Sequence, residues 1–254
     1  MKIYSRIKTN SSAPKIFINS MPKAGTHLIK NIISSSPYIV DSFEHIYEVD
    51  IDKSNKKVIS SKDFNFSEKK LIKKISSIQN GQIVTAHISY HPNIVKILNS
   101  YNFKIIYIKR DLRDQTLSNL FYIKNLKRHW LHKVFNEKFN SDEKKIKALI
   151  NGFKFSETLQ IDPLKLLSKN FKRWGVDRNV YSIEFEKISI DANKNTKVET
   201  LKKLFKFLNQ SNNNKDIDLI LKKFNKKKSP TLRKGKKGEG NIHFKKIFDK
   251  HKIK

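Results

Sequence analysis

The sequence predicts an α/β fold: a single domain with an open, mostly parallel β-sheet flanked by helices on both faces. Short apolar runs alternate along the chain with segments of helical periodicity, which is typical of βαβ units. The 254 residues suffice for one large α/β domain, and no Gly/Pro/Ser-rich linker divides them. We therefore expect one domain over 1–254, with its core at 15–244 and a basic tail at 245–254.

The first predicted elements are a strand and a helix. An apolar run indicates a strand at 15–19, and four apolar residues on one face indicate a helix over 26–35. Residues 36–80 are polar, rich in Lys and Ser, and weakly patterned. We interpret them as an irregular excursion with one short helix near 67–78.

The next four predicted elements alternate regularly. A strand at 81–87 precedes a helix at 92–101, which has a proline in its first turn. A third strand at 103–108 is apolar enough to lie buried in a parallel sheet, and a helix over 112–124 follows it. This alternation predicts parallel strands covered by helices.

Helical patterns dominate the C-terminal part of the chain. Apolar spacing indicates helices around 146–153 and 201–208. Asp162-Pro163 is a suitable start for another helix, which Gly175 is expected to end. A fourth strand is predicted at 179–185. The remaining segments are an Asn-rich loop at 209–214 and a polar, basic tail from 222.

The composition argues against several classes of protein. Because there is no cysteine, neither disulfides nor thiolate metal sites can form. No run approaches the ~18 consecutive apolar residues of a simple membrane span. The basic N-terminal residues are not followed by the apolar segment of a signal peptide. We therefore expect a cytoplasmic protein without a membrane span.

The formal net charge of +31 suggests a polyanionic partner. However, the cations are overwhelmingly Lys, with only seven Arg, and Asn and Ile are also abundant. This profile is typical of an A/T-rich coding sequence. We interpret the charge as coding bias more than as selection for nucleic acid, although it should still attract anionic ligands.

The most informative segment is 21–27, Met-Pro-Lys-Ala-Gly-Thr-His, which separates the first strand from the first helix. Such a loop directs backbone N–H groups toward an anion, and the positive end of the following helix points to the same place. In a nucleotide P-loop the lysine follows the glycines and precedes a Ser or Thr that binds Mg²⁺. Here Lys23 precedes Gly25. The segment therefore predicts a phosphate cradle of another kind.

Two further loops should meet this cradle, because open α/β sheets bind ligands at the carboxyl ends of their strands. One loop begins at His87. The other begins with Lys109 and Arg110, where an NTPase often has an acidic residue for Mg²⁺. A second, metal-free phosphate would suit this loop. Arg110 offers a planar fork of donors, and Ser118 follows eight positions later.

Together these segments resemble the sulfotransferases that use 3′-phosphoadenosine 5′-phosphosulfate (PAPS). Pro22 to Thr26 resembles the family's 5′-phosphosulfate loop, and Tyr107 to Ser118 resembles its 3′-phosphate motif. Thr85-Ala86-His87 is similar to the segment that carries the catalytic histidine of the cytosolic branch. Arg233 to Phe244 is similar to the family's C-terminal motif. Two departures from the pattern are Phe185, where Tyr is common, and Gly240, where the family has Trp.

The resemblance implies a P-loop-like sulfotransferase fold and an in-line transfer that needs no metal. PAPS would be the co-substrate and adenosine 3′,5′-bisphosphate (PAP) the product. Lys23 would contact the 5′-phosphosulfate, and His87 would take the acceptor proton, with His91 as the rival base. The other implied donor contacts are Ala24, Gly25, Thr26 and His27 at the 5′-phosphate, and Arg110, Ser118, Arg233, Lys234 and Gly235 at the 3′-phosphate.

Two other functions remain open from the sequence. A P-loop kinase with a degenerate loop would require Mg²⁺ and a carboxylate at the end of the third strand, where none lies. A basic nucleic-acid-binding protein would bind DNA or RNA with a steep salt dependence. For a sulfotransferase, the expected partner is a hydroxyl- or amine-bearing acceptor, either a small molecule or a glycan. The sequence specifies neither the acceptor nor the oligomeric state.

Overall fold

The computed structural model describes residues 13–54, 62–156, 159–225 and 237–248. Most strands within these ranges form one parallel sheet, and two short ones pair as an antiparallel hairpin. The strands are β1 (Lys15–Ser20), β2 (Val40–Tyr47), β3 (Gln82–His87), β4 (Phe103–Lys109), β5 (Phe153–Ser156), β6 (Leu159–Ile161) and β7 (Val180–Glu184). The parallel sheet has the order β2-β3-β1-β4-β7, and the hairpin consists of β5 and β6.

The helices of the described ranges pack on both faces of the sheet and beside it. They are α1 (Thr26–Ile33), α2 (Glu68–Ile75), α3 (Pro92–Ser100), α4 (Leu112–Asn125), α5 (His132–Lys138), α6 (Asp142–Asn151), α7 (Leu164–Lys172), α8 (Phe185–Ile188), α9 (Lys194–Phe207), α10 (Asn214–Asn225) and α11 (Glu239–Phe248). Among them, none is long and apolar enough to cross a membrane.

Three clusters of buried apolar side chains hold these layers together. Successive residues of a strand face opposite sides of a sheet. Accordingly, Ile16 and Ile18 of β1 pack with α1, α8, α9 and α10, whereas Phe17 packs with α2, α3 and α7 on the other face. The third cluster joins α4, α5 and α6. The predicted α/β fold, a parallel sheet covered on both faces, is thus confirmed.

The strand order determines where the site lies. β1 pairs with β3 on one side and with β4 on the other, and all three run parallel. The loops that follow them therefore lie side by side at the carboxyl edge of the sheet, where open α/β sheets bind ligands. These are the three loops that the sequence singled out.

The prediction that 36–80 is an irregular excursion is wrong for its first part. Residues Val40–Tyr47 form β2, the edge strand of the sheet, which pairs in parallel with β3. This strand escapes a pattern search because only Ile46 is buried along it, and its register shifts at a bulge between Asp41 and His45. Within the bulge, Phe43 has a φ of 63° and is 84% exposed. The short helix predicted near 67–78 is confirmed as α2, with Ser67 as its N-cap.

The C-terminal part also differs from the prediction. The expected tail from 222 is helical to Asn225, and the boundary at 245 falls inside α11. α7 begins at Leu164 after Pro163, and a 3₁₀ turn carries the chain from it to Gly175. The hairpin, α5, α8 and α10 were not predicted, because these short or polar segments lack a clear apolar period.

Candidate active site

The loop after β1 has the backbone of an anion cradle. Lys23 and Gly25 both have positive φ, at 68° and 117°. A Cβ atom at Gly25 would lie 2.6 Å from Cδ2 of Phe185, so this position tolerates no side chain. α1 begins at Thr26, and the amides of its first turn lack partners within the helix. The amide of Ala24, in contrast, donates to the Met21 carbonyl at 3.2 Å and closes the loop.

Side-chain hydrogen bonds tie the loop to its neighbours. The hydroxyls of Ser20 and Thr26 bond to each other across it. Gln115 of α4 donates from Nε2 to the Pro22 carbonyl at 2.7 Å. Asn19 exchanges two hydrogen bonds with the backbone of Ile88, at 2.8 and 3.1 Å. The cradle is therefore held by β3 and α4 before any ligand binds.

Lys23 is a partly buried cation at the centre of the site. Its Nζ lies 3.7 Å from the centroid of the Tyr122 ring. Burial lowers the pKa of Lys23 to about 8, with the nearby Arg110 as a second cause. The ammonium is therefore charged at neutral pH, but with little margin.

Arg110 faces the same cleft as Lys23. Its Nη1 donates to the Lys23 carbonyl at 3.2 Å, and its guanidinium carbon lies 4.1 Å from the centroid of Phe185. The aromatic ring therefore supports the flat face of the guanidinium. In this chain the position where the family commonly has Tyr supports the cation through its ring alone.

His87 lies at the end of β3 with a defined tautomer. Its Nδ1 is 2.8 Å from the Ser20 carbonyl, which can only accept, so Nδ1 carries the hydrogen and Nε2 keeps its lone pair. Burial, and then the neighbouring His45, lower the pKa of His87 to about 3. The imidazole is therefore neutral at pH 7 and can accept a proton at Nε2.

A second imidazole, His45 of β2, packs against His87. It lies opposite Thr85 in the sheet and bonds from Nδ1 to Oγ1 of that threonine at 2.7 Å. The rings of His45 and His87 meet edge to face at 4.7 Å, and Tyr47 lies 6.1 Å from His87. Burial lowers the pKa of His45 to about 4. His45 was not predicted from the sequence, because it lies in the segment interpreted as irregular.

His27 and His91 lie apart from the pair formed by His45 and His87. Burial and the adjacent Lys30 and Lys23 lower the pKa of His27, which opens α1 beside the cradle. His91, the rival base, instead caps α3: its Nδ1 accepts from the Asn93 amide at 3.2 Å. His91 is therefore engaged in capping a helix.

Of the remaining residues predicted to contact the 3′-phosphate, only Ser118 lies within the described residues. Ser118 lies on α4, one helical turn before Tyr122 and therefore on the same face of the helix. Arg233, Lys234 and Gly235 lie outside the described residues.

The first turn of α4 anchors the C-terminal helix. Asp111 caps α4 by accepting from the Arg113 amide at 2.9 Å. Asp114, only 3% exposed, accepts from the amides of Gly238 at 2.6 Å and Gly240 at 2.5 Å. A Cβ atom at Gly240 would lie 2.4 Å from the backbone of Arg113. Asp114 therefore holds the start of α11 beside the Arg110 loop.

Comparison with known proteins agrees with this geometry. The model of the sulfotransferase domain matches residues 13–254. The chain belongs to the sulfotransferase family. It is therefore an enzyme, a transferase of sulfuryl groups. No curated protein matches the chain.

Solved sulfotransferase-like structures share the fold at low sequence identity. The crystal structure of mouse sulfotransferase SULT7A1 complexed with PAP has a TM-score of 0.58 and 18% identity, covering 93% of this chain and 83% of that one. Retinol dehydratase in complex with androsterone and the inactive cofactor PAP has a TM-score of 0.53 and 12% identity, covering 97% and 80%. The predicted sulfotransferase fold is thus confirmed.

Proposed function

We propose that the chain transfers the sulfuryl group of PAPS to a hydroxyl or amine acceptor. The observation that carries this proposal is the meeting of Lys23 and Arg110 in one cleft, joined through the Lys23 carbonyl, beside a neutral His87. A donor that carries phosphate groups on the 3′ and 5′ positions of one ribose needs two neighbouring cationic sites, which Lys23 and Arg110 supply. The PAP bound in the similar structures is consistent with it.

The donor would lie across the three loops. The amides of Gly25, Thr26 and His27 would hold its 5′-phosphate at the start of α1. Because the Ala24 amide already closes the loop, this residue would act through its backbone conformation. Arg110 and Ser118 would hold the 3′-phosphate, together with Arg233, Lys234 and Gly235 from the C-terminal segment.

The reaction follows from these positions. The acceptor oxygen or nitrogen forms a bond to sulfur while the bond from sulfur to the bridging oxygen breaks in line. The bridging oxygen leaves on PAP, and the ammonium of Lys23 stabilises its developing charge. The acceptor proton passes to Nε2 of His87. A positioned general base typically increases the reaction rate by ~10²–10⁴-fold.

The environment of His87 suits this role once the donor is bound. In the free enzyme, burial keeps its pKa low and the ring neutral. The anionic donor would raise this pKa, because negative charge nearby favours the imidazolium. The base would therefore become stronger only when the sulfuryl group is in place.

A thermal-shift comparison of PAP with ATP–Mg²⁺ tests the proposal. A ligand at about 100 times its Kd stabilises the folded state by ~2.7 kcal/mol. We expect PAP to raise the melting temperature. Lys23→Ala should weaken this effect and Arg110→Ala should largely remove it.

The matched controls are Lys96→Ala and Arg178→Ala, two exposed cations away from the carboxyl edge of the sheet. Both should respond to PAP like the wild type. Stabilisation by ATP–Mg²⁺ without any by PAP would instead support a kinase. Indifference to both nucleotides with salt-sensitive DNA binding would support a nucleic-acid-binding protein. An acceptor screen with labelled PAPS, covering small hydroxyl and amine compounds and glycans, would follow.

A further inference from the structure

Tyr122 presents the face of its ring to the amine of Lys23. The distance of 3.7 Å from Nζ to the ring centroid lies well within the ~6 Å limit for a cation–π contact. The ring is itself fixed, since His129 packs edge to face against it with centroids 5.3 Å apart. Tyr122 follows Ser118 by one turn of α4, so the two residues share one face of the helix.

Lys23 has few other sources of stabilisation for its charge. The charged and titratable groups that act on it or respond to it are Arg110 after β4, His27 of α1, His87 of β3 and His129 after α4. All of them are basic. Among the described residues, no ion pair includes Lys23. The negative face of the Tyr122 ring is therefore the attractive partner of this ammonium.

We propose that Tyr122 is a positioning residue that keeps the amine of Lys23 protonated and directed into the cleft before the donor binds. This inference rests on the proposed function, in which Lys23 meets the 5′-phosphosulfate. The ring holds the cation without a carboxylate, which would repel the anionic donor from the same place. A π face therefore suits a site that must be cationic and still receive a phosphosulfate.

The pKa of Lys23 in the ligand-free protein tests the proposal directly. It is measured by competitive acetylation with acetic anhydride across a pH series, with mass-spectrometric detection of the peptide that contains Lys23. In Tyr122→Leu we expect this pKa to fall by about one unit, from the energy of a desolvated cation–π contact. Tyr122→Phe keeps the ring face and should keep the wild-type pKa. Phe121→Leu, the matched control on the same helix, should also leave it unchanged.

Equal Lys23 pKa values in Tyr122→Leu and wild type would overturn the proposal, provided that circular dichroism shows both to be folded. A shift of similar size in Tyr122→Phe and Tyr122→Leu would also overturn it, because the phenol hydroxyl would then be responsible.

Binding of PAP gives a second readout. If the pKa falls from about 8 to about 7, the charged fraction at pH 8 falls from about one half to one tenth. PAP should then bind about fivefold more weakly to Tyr122→Leu at pH 8, with a smaller loss at pH 6.5. If wild-type protein fails to bind PAP, the proposed function fails, whereas the acetylation experiment still decides the role of Tyr122.

Discussion

The cations of the cleft act through their surroundings more than through their number. Dozens of Lys side chains cover this chain, yet Lys23 is partly buried beside Arg110 and has a pKa lowered to about 8. Arg110 combines a ring beneath its guanidinium with a hydrogen bond to the cradle. Both were predicted from the sequence because each lies in a loop that follows an apolar strand, which places it at the ligand-binding edge of the sheet.

Arg110→Lys should weaken PAP binding although it keeps the charge. A lysine can neither stack flat on Phe185 nor present a planar fork to a phosphate. We expect about tenfold or greater loss of PAP affinity, from one or two hydrogen bonds to a charged group. The affinity for adenosine 5′-monophosphate, which lacks the 3′-phosphate, should fall much less.

Isothermal titration calorimetry with both nucleotides makes this comparison, with Arg178→Lys as the exposed control. Equal losses for the two nucleotides would contradict the assignment of Arg110 to the 3′-phosphate.

At the scale of elements, the contact between α4 and α11 depends on one buried carboxylate. Asp114 accepts from two backbone amides at the start of α11, and Gly240 lies against the backbone of α4. A bulkier residue at position 240 would separate the two helices. The close approach requires glycine at position 240 of this chain, where the family pattern has Trp.

Asp114→Asn should loosen α11 without unfolding the sheet. Asparagine keeps one acceptor oxygen but has no charge. Loss of a hydrogen bond to a charged group costs about 2 kcal/mol of stability. We expect hydrogen exchange of the peptide 237–248 to accelerate by about tenfold or more, through local opening. Gly240→Ala should act similarly, and the double variant should show less than the sum of both effects.

Asp142→Asn is the matched control: it removes a partly exposed carboxylate that pairs with Lys124 near the far end of α4, and it should leave this exchange unchanged. Unaltered exchange of α11 in Asp114→Asn would show that the carboxylate does not hold the helix.

The elements that sequence analysis found and those it missed differ in how they are stabilised. β1, β3 and β4 are buried on both faces and appear as apolar runs. β2 is a bulged edge strand with one buried residue, so its pattern is too weak to predict, and His45 was missed with it. α11 contains Gly240 and Asn241, and its place depends on Asp114, more than 120 positions away. Such long-range contacts leave no local periodicity.

On the scale of the whole molecule, the net charge of +31 and the desolvated imidazoles of the site affect stability in the same direction. Repulsion among the cations opposes compaction, and every further proton increases it. Around the cleft, His27, His45, His87 and His129 all have a lowered pKa, with burial as the first cause. The site is therefore built to stay neutral at its imidazoles and cationic at Lys23 and Arg110.

We expect the stability of the fold to decrease as the pH falls from about 6.5 toward 4. The unfolded chain binds protons at these histidines near their ordinary pKa of about 6.5, whereas the folded chain does not until pH about 4 for His45 and His129 and about 3 for His87. Below 6.5 the unfolded state therefore binds more protons, so the free energy of unfolding falls with the pH. The decrease is measured as the urea midpoint of unfolding at pH 7, 6, 5 and 4.5. These pH values lie above the range in which most carboxylates titrate.

The double variant His45→Gln and His87→Gln should make the urea midpoint less dependent on pH. His91→Gln, at the cap of α3, should leave the pH dependence unchanged. A wild-type midpoint that is constant from pH 7 to 5 would mean that these imidazoles can be protonated without unfolding the site.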